Sequence, residues 1–333
     1  MIHIKNAIKL YITVSRWEFL PAVSIGIFIG IFLGAESVQY LLSIGFIITL
    51  IEGVIIFLLL FNVGFMVNCW ADWKVDELYK TRLYKAVKNL GRSNLGALVV
   101  IHIVACIILA AHLTIVIGRV EINLLVWIGT FLGVAYSIEP FRFKRRGILH
   151  SLIALPIFFI PGVYSYFLVS NLSFDAPFTY FFLFLAAGIT VAHYGLILVS
   201  QAEDLPVDKK MGLYTPAVTW GLRKTLLVSF VSNLLGSIVS IIALMLMFLI
   251  VNIWLIVLLP LIVLGRYLSM RVVFILHKKS LDISSDNLLL EEIRAEMSQY
   301  PMWHAYGLSG ITISSLLILV FRSFDWVVPY QFP

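Results

Sequence analysis

The chain has 333 residues, of which 61% are hydrophobic and 13% charged. With a mean hydropathy of +1.01, it falls outside the range of a water-soluble domain and within that of a membrane protein. Its net charge is +6, but the bases are spread over alternate loops, so the excess reads as membrane topology and indicates no nucleic-acid surface.

In chain order, nine segments are apolar over roughly the 20 residues that cross a bilayer: 17–36, 41–67, 95–118, 122–138, 148–170, 178–200, 225–249, 252–272 and 303–321. Each is longer than a barrel strand needs, and none alternates with period two. The expected fold is therefore all-α and polytopic. The N-terminus carries Lys5, Lys9 and Arg16 ahead of a full-length apolar run without a convincing cleavage site, so a retained first span is expected in place of a signal peptide. Cys69 and Cys106 offer neither a disulfide framework nor metal-ligand spacing. The N-terminus and every second loop (68–94, 139–147, 201–224 and 266–300) hold 22 of the 24 basic residues, Arg119 and Arg322 being the exceptions. The positive-inside rule puts these loops and the N-terminus in the cytoplasm, with the C-terminus on the opposite side.

At the end of the second apolar segment stands Asn68-Cys69-Trp70-Ala71-Asp72-Trp73-Lys74-Val75-Asp76. On a helix, Asn68, Asp72 and Asp76 lie along one face. Carboxylates beside hydrocarbon are costly without a partner, and a cluster of hard oxygen ligands suits Mg²⁺ better than a soft metal. A second pair, Asp204 and Asp208, follows 132 residues after Asp72 on the same side. Two such pairs point to a diphosphate held through metal ions. Between them runs Tyr136-Ser137-Ile138-Glu139-Pro140-Phe141-Arg142-Phe143-Lys144-Arg145-Arg146-Gly147. Pro140 is expected to end the preceding helix. Arg142 and Lys144, near that helix end, are expected to contact phosphate; Arg145 and Arg146 read equally well as topogenic charge.

These three blocks resemble the signature of the UbiA superfamily of intramembrane prenyltransferases: an NxxxDxxxD-type motif after the second helix (Asn68, Asp72, Asp76), a YSxxPxxxK block after the fourth (Tyr136, Ser137, Pro140, Lys144) and a DxxxD motif after the sixth (Asp204, Asp208). The resemblance extends over nearly the whole chain as a single domain. It implies nine helices around a central cavity, with the aspartate motifs facing each other under a cytoplasmic cap. It further implies two Mg²⁺ ions bridging the aspartates and a prenyl diphosphate. Ser137, Arg142, Lys144 and Lys209 would add diphosphate contacts, and Tyr136 would stand near the allylic cation. The implied reaction is transfer of that cation to a lipophilic acceptor in the bilayer. Two departures bear on the acceptor: Cys69 stands where relatives often carry an acid, and Lys80 to Ala86 lacks the Arg-Pro-x-x-x-Gly stretch of aromatic-acceptor members.

Other intramembrane polar residues read as structural: Glu52 as a helix partner, Asn62 as interhelical glue, Arg16 as a snorkelling anchor in preference to a phosphate contact, and His193 as either a cavity wall or a helix contact. Trp70 and Trp73 suit an interfacial belt as well as a cavity wall, and residues 277–300 read as a surface helix. The rival functions are a terpene cyclase on the same scaffold, which quenches the cation within its own chain, and a transporter. The latter has no evident need of paired aspartate motifs. No signal fixes an oligomeric state.

Overall fold

The computed structural model describes residues 4–324, and within that range the protein is almost wholly helical. The expected placement of the C-terminus concerns residues that lie outside those described. An amphipathic helix α1 (Ile4–Val14) ends before Arg16, whose backbone is left-handed with φ 50°, and a 3-10 turn at Trp17–Phe19 leads into α2 (Leu20–Gly34). The short α3 (Val38–Leu41), capped by Ser37 Oγ accepting from Tyr40 N, precedes α4 (Ile44–Tyr79), the longest helix described. Next come α5 (Thr81–Leu90), α6 (Arg92–Ile117) and α7 (Val120–Ser137). Short 3-10 turns (Phe143–Arg145, Gly147–Ile153) and a π-helical stretch (Leu155–Phe159) then run into α8 (Ile160–Val169). Pro156 and Pro161 remove two backbone donors there, which accounts for the irregular start of this span. The rest comprises α9 (Pro177–Glu203), α10 (Leu205–Lys210), α11 (Pro216–Trp220), α12 (Leu222–Val251), a 3-10 stretch at Ile253–Leu258, α13 (Leu259–Asp282), α14 (Asp286–Met297) and α15 (Tyr300–Ser323).

Eight of these helical segments are long and apolar enough to cross a membrane. The first of the nine expected spans is shorter: α2 has 15 residues, about 22 Å of helix. The turn after Arg16 takes Trp17–Phe19 out of the helix, and the chain turns extended at Ala35. Two expected loops prove helical. The segment after residue 68 continues α4 without a break to Tyr79, since nothing in it interrupts the backbone ladder. Residues 273–282, expected in a cytoplasmic loop beyond the span at 252–272, complete α13; Arg266, where the expected span and loop overlap, is 2% exposed inside the bundle, its Nη2 donating to Ser240 Oγ at 3.2 Å. The surface helix expected within 277–300 is α14, which buries Leu289, Leu290 and Ile293.

The helices pack as a membrane bundle does, by small residues inside and large aliphatics outside. On α4, Ile44, Ile48, Ile51 and Ile55 form an exposed stripe at three- and four-residue spacing, the surface that hydrocarbon would solvate. Inside, α9 and α12 lie backbone to backbone. A Cβ on Gly236 would stand 2.2 Å from Ala192 N and 2.5 Å from Gly188 O. Ser229 Oγ donates to Gly195 O at 2.5 Å and Asn233 Nδ2 to Ala192 O at 3.0 Å. Such close approach replaces the hydrophobic drive that lipid removes. Elsewhere Glu52 Oε1 pairs with His112 Nδ1 at 2.8 Å. Asn62 ties α4 to the N-terminal segment through Tyr11 OH at 2.6 Å and Trp17 Nε1 at 3.0 Å. His193 stacks on His304 of α15 with centroids 5.0 Å apart.

Gly236→Ala should force α9 and α12 apart and destabilise the protein by about 1–3 kcal/mol. Thermal unfolding in detergent should show a lower midpoint for this variant than for Ala243→Gly, which merely leaves a small gap on the same helix.

Candidate active site

Because α4 is unbroken, Asn68, Asp72 and Asp76 stand one turn apart near its end, with Asp76 5% exposed. The second block folds back onto them. Helix α7 stops at Ser137, and Ile138 is extended (φ −108°, ψ 139°) two residues ahead of Pro140, where the sequence placed the break. The 3-10 turn at Phe143–Arg145 then turns Lys144 inward, to 8% exposure. Lys144 Nζ donates to Asn68 Oδ1 at 2.9 Å and also to Asp72 Oδ2. Arg142 Nη2 donates to Asp72 Oδ1 at 3.2 Å, and Ser137 Oγ to Asn68 Oδ1 at 3.3 Å. Burial pulls the Lys144 amine below its ordinary range, against the opposing pull of Asp72. Of the other two bases, Arg146 turns to Glu139 at 4.0 Å, and Arg145 forms no ion pair among the described residues.

The third block adjoins the second. Gly147 N donates to Tyr214 O at 2.5 Å, beside a parallel bridge between Arg146 and Tyr214. Asp204 caps α9 and Asp208 lies on α10 at 8% exposure. Burial raises both carboxyls. Asp208 is pushed up to about 6, with the negative charges of Asp204 and Asp72 adding to the rise, while Lys80 draws both Asp204 and Asp208 down. Among the described residues Lys209 is exposed, and no ion pair joins it to the other predicted site residues.

Tyr136 is half-buried and shares a 2.9 Å hydrogen bond with His150 Nε2; His150 is itself 1% exposed. Sequence reasoning missed His150, for which no pattern pointed inward. It also missed Lys80, although the four-residue spacing of 68, 72 and 76 reaches 80 on its next step. Arg16, read as an anchor, sits 3.6 Å from Glu18, stacks 4.5 Å over Phe19 and lies close enough to Asp204 to lower its carboxyl. It belongs to the rim of this site.

Among the described residues, no three Asp, Glu, His or Cys side chains gather tightly enough to hold a metal ion by themselves. The aspartates are instead two pairs on separate elements. That arrangement fits Mg²⁺, which is commonly held by one or two carboxylates with water and substrate phosphates completing its shell. The donors are all hard oxygens, and Asp76 Oδ2 is buried without a hydrogen-bond partner.

A family model described as the UbiA prenyltransferase family matches residues 23–284. The chain belongs to that family. Among solved structures it is similar to a UbiA homolog from Archaeoglobus fulgidus bound to DMAPP and Mg²⁺, with 19% identity, 91% of this chain and 99% of that one covered, and a TM-score of 0.59. It is also similar to a digeranylgeranylglyceryl phosphate synthase, with 14% identity, 93% and 99% coverage, and a TM-score of 0.63. A lycopene elongase/hydratase of Haloferax volcanii is 33% identical over 95 residues, a match spanning 28% of this chain and 29% of the relative. The UbiA fold is thus shared across nearly the full length, as the three sequence blocks implied.

Lys144→Met leaves Asp72 with one counter-charge fewer in a largely buried setting. It should lower stability by about 3 kcal/mol. The pair Lys144→Met and Asp72→Asn together should recover part of that loss, read as an upward shift of the melting midpoint relative to the single variant.

Proposed function

We propose that the chain acts as a single intramembrane domain that transfers a prenyl group from a polyprenyl diphosphate to a lipophilic acceptor, with the site on the cytoplasmic side and Mg²⁺ required. The observation that carries this reading is the joining of the three blocks: Lys144 bonded to Asn68 and Asp72, and Gly147 bonded to Tyr214 beside the Asp204–Asp208 pair.

The chemistry follows from charge. When bound, two Mg²⁺ ions held by Asn68, Asp72, Asp76, Asp204 and Asp208 would neutralise the diphosphate and favour its departure. Arg142 would swing from Asp72 toward a phosphate, gripping it bidentately, while Lys144 supplies fixed positive charge at short range and Lys80 adds a more distant one. Ser137 would hold Asn68 in place through the hydrogen bond it already makes. The C1–O bond then breaks with its electron pair leaving on the diphosphate. The allylic cation left behind would face the ring of Tyr136, whose π-face attracts positive charge, and whose orientation His150 fixes. An electron-rich carbon or oxygen of the acceptor closes on C1 and gives up a proton. The apolar interior would keep water from quenching the cation.

The acceptors to try first are lycopene, the substrate named in the matched Haloferax relative, and geranylgeranylglyceryl phosphate. The missing Arg-Pro-x-x-x-Gly stretch argues against an aromatic acid. Purified protein given Mg²⁺, labelled geranylgeranyl diphosphate and each acceptor should form a prenylated acceptor, seen by mass. A cyclised hydrocarbon formed without acceptor would replace this reading with the cyclase. Asp72→Ala and Asp204→Ala should each lower Mg²⁺-dependent diphosphate release at least 100-fold; wild-type rates in both would refute the two-pair assignment.

A further inference from the structure

Away from the aspartates, α1 and α5 pack side by side and border an open surface cleft of about 520 Å³. Its polar lining is Lys9 and Thr13 from α1 and Thr81, Arg82, Lys85 and Asn89 from α5. The two helices together carry Lys5, Lys9, Arg82, Lys85 and Lys88 and not a single Asp or Glu. Among the described residues Lys9 and Lys85 form no ion pair, and Arg82 has only the exposed Glu18, at 3.9 Å. Three cations, the Thr81 hydroxyl and the Asn89 amide converging on one cleft form a donor set for an anion with several oxygens, the Thr13 hydroxyl being taken up by Lys9 O at 2.8 Å.

The position of the cleft narrows the source of that anion. Through Trp17–Phe19, α1 leads into the apolar α2, and α5 joins the crossing helices α4 and α6. Both α1 and α5 therefore lie where a span meets the headgroup layer. Helix α5 turns Leu83, Ala86 and Val87 inward and its bases outward, and on α1 Ile8 is 55% exposed beside Lys9. An amphipathic pair with bare bases and an exposed aliphatic suits the boundary between headgroups and acyl chains.

We propose that the α1–α5 cleft binds the phosphate headgroup of an acidic phospholipid. Lys9, Arg82 and Lys85 contact the phosphate oxygens, Thr81 and Asn89 contact the ester and glycerol oxygens, and the acyl chains pass along Ile8. The site is separate from the aspartate blocks and does not depend on the reaction assigned to them.

Native mass spectrometry of the full chain in detergent, titrated with phosphatidylglycerol or phosphatidylcholine, tests this. Wild type should retain one phosphatidylglycerol molecule more tightly than any phosphatidylcholine. The variant Lys9→Gln/Arg82→Gln/Lys85→Gln should bind that molecule at least tenfold more weakly, and the exposed single change Lys85→Gln should show a smaller loss in the same direction. The control Lys88→Gln/Lys224→Gln/Lys278→Gln, which removes equal charge outside the cleft, should bind like wild type. Equal retention by wild type and the cleft variant would overturn the proposal, as would an equal loss in the control. Displacement of phosphatidylglycerol by inorganic diphosphate would overturn the lipid assignment in favour of a free-anion site.

Discussion

The contact on which the site depends is the one Lys144 makes with Asp72 and Asn68, across 72 and 76 residues of chain. A carboxylate at the edge of a bilayer is tolerable only with a counter-charge close by, and here the counter-charge comes from a segment that cannot be helical. Pro140 ends α7, the chain turns through a 3-10 segment, and that turn points Lys144 inward. The same segment then hands Gly147 to Tyr214, so one irregular stretch fastens both aspartate-bearing regions. Were residues 138–146 a regular helix, Lys144 would be carried away along its axis and the two pairs would lose their common neighbour.

The arrangement leaves the site unevenly charged. Asp72 is paired twice, by Lys144 and Arg142, whereas Asp76, Asp204 and Asp208 form no ion pair among the described residues. Burial holds the Asp208 carboxyl up at about 6, and the negative charges of Asp204 and Asp72 add to the rise. The Thr215 hydroxyl and the charge of Lys80 relieve it in part, while Lys80 and Arg16 do so for Asp204. A site with this imbalance is suited to taking up cations together with an anion, as a metal-bridged diphosphate would supply. The polar work is concentrated at one end of the bundle, while the close α9–α12 contact and the exposed isoleucines of α4 are what hold that end in place in lipid.

Much of this was readable in the chain. Crossing segments announce themselves by length and apolarity, and the four-residue spacing of Asn68, Asp72 and Asp76 stated its own helix face. Spans were misjudged where hydropathy and backbone part company. The turn after Arg16 shortens the first helix within a run that looks continuous, and residues 273–282, read as loop, continue α13. The charge partners were less legible. Closeness to the helix end and the YSxxPxxxK block set Arg142 and Lys144 apart from Arg145 and Arg146, but that Lys144 bonds Asn68 and Asp72 at once follows only from the 3-10 turn. His150 is likewise invisible until α7 and the following span are brought together, because a lone histidine in an apolar run has no spacing to betray it.

The central claim is that the two aspartate pairs and the 136–147 segment form one metal-dependent diphosphate site. Calorimetric titration of the purified protein with geranylgeranyl thiodiphosphate, an analogue that resists ionisation, tests it most directly. The account predicts a single site that requires Mg²⁺ and is lost alike in Asp76→Asn and Asp208→Asn. Tight binding without Mg²⁺, untouched by either substitution, would contradict it.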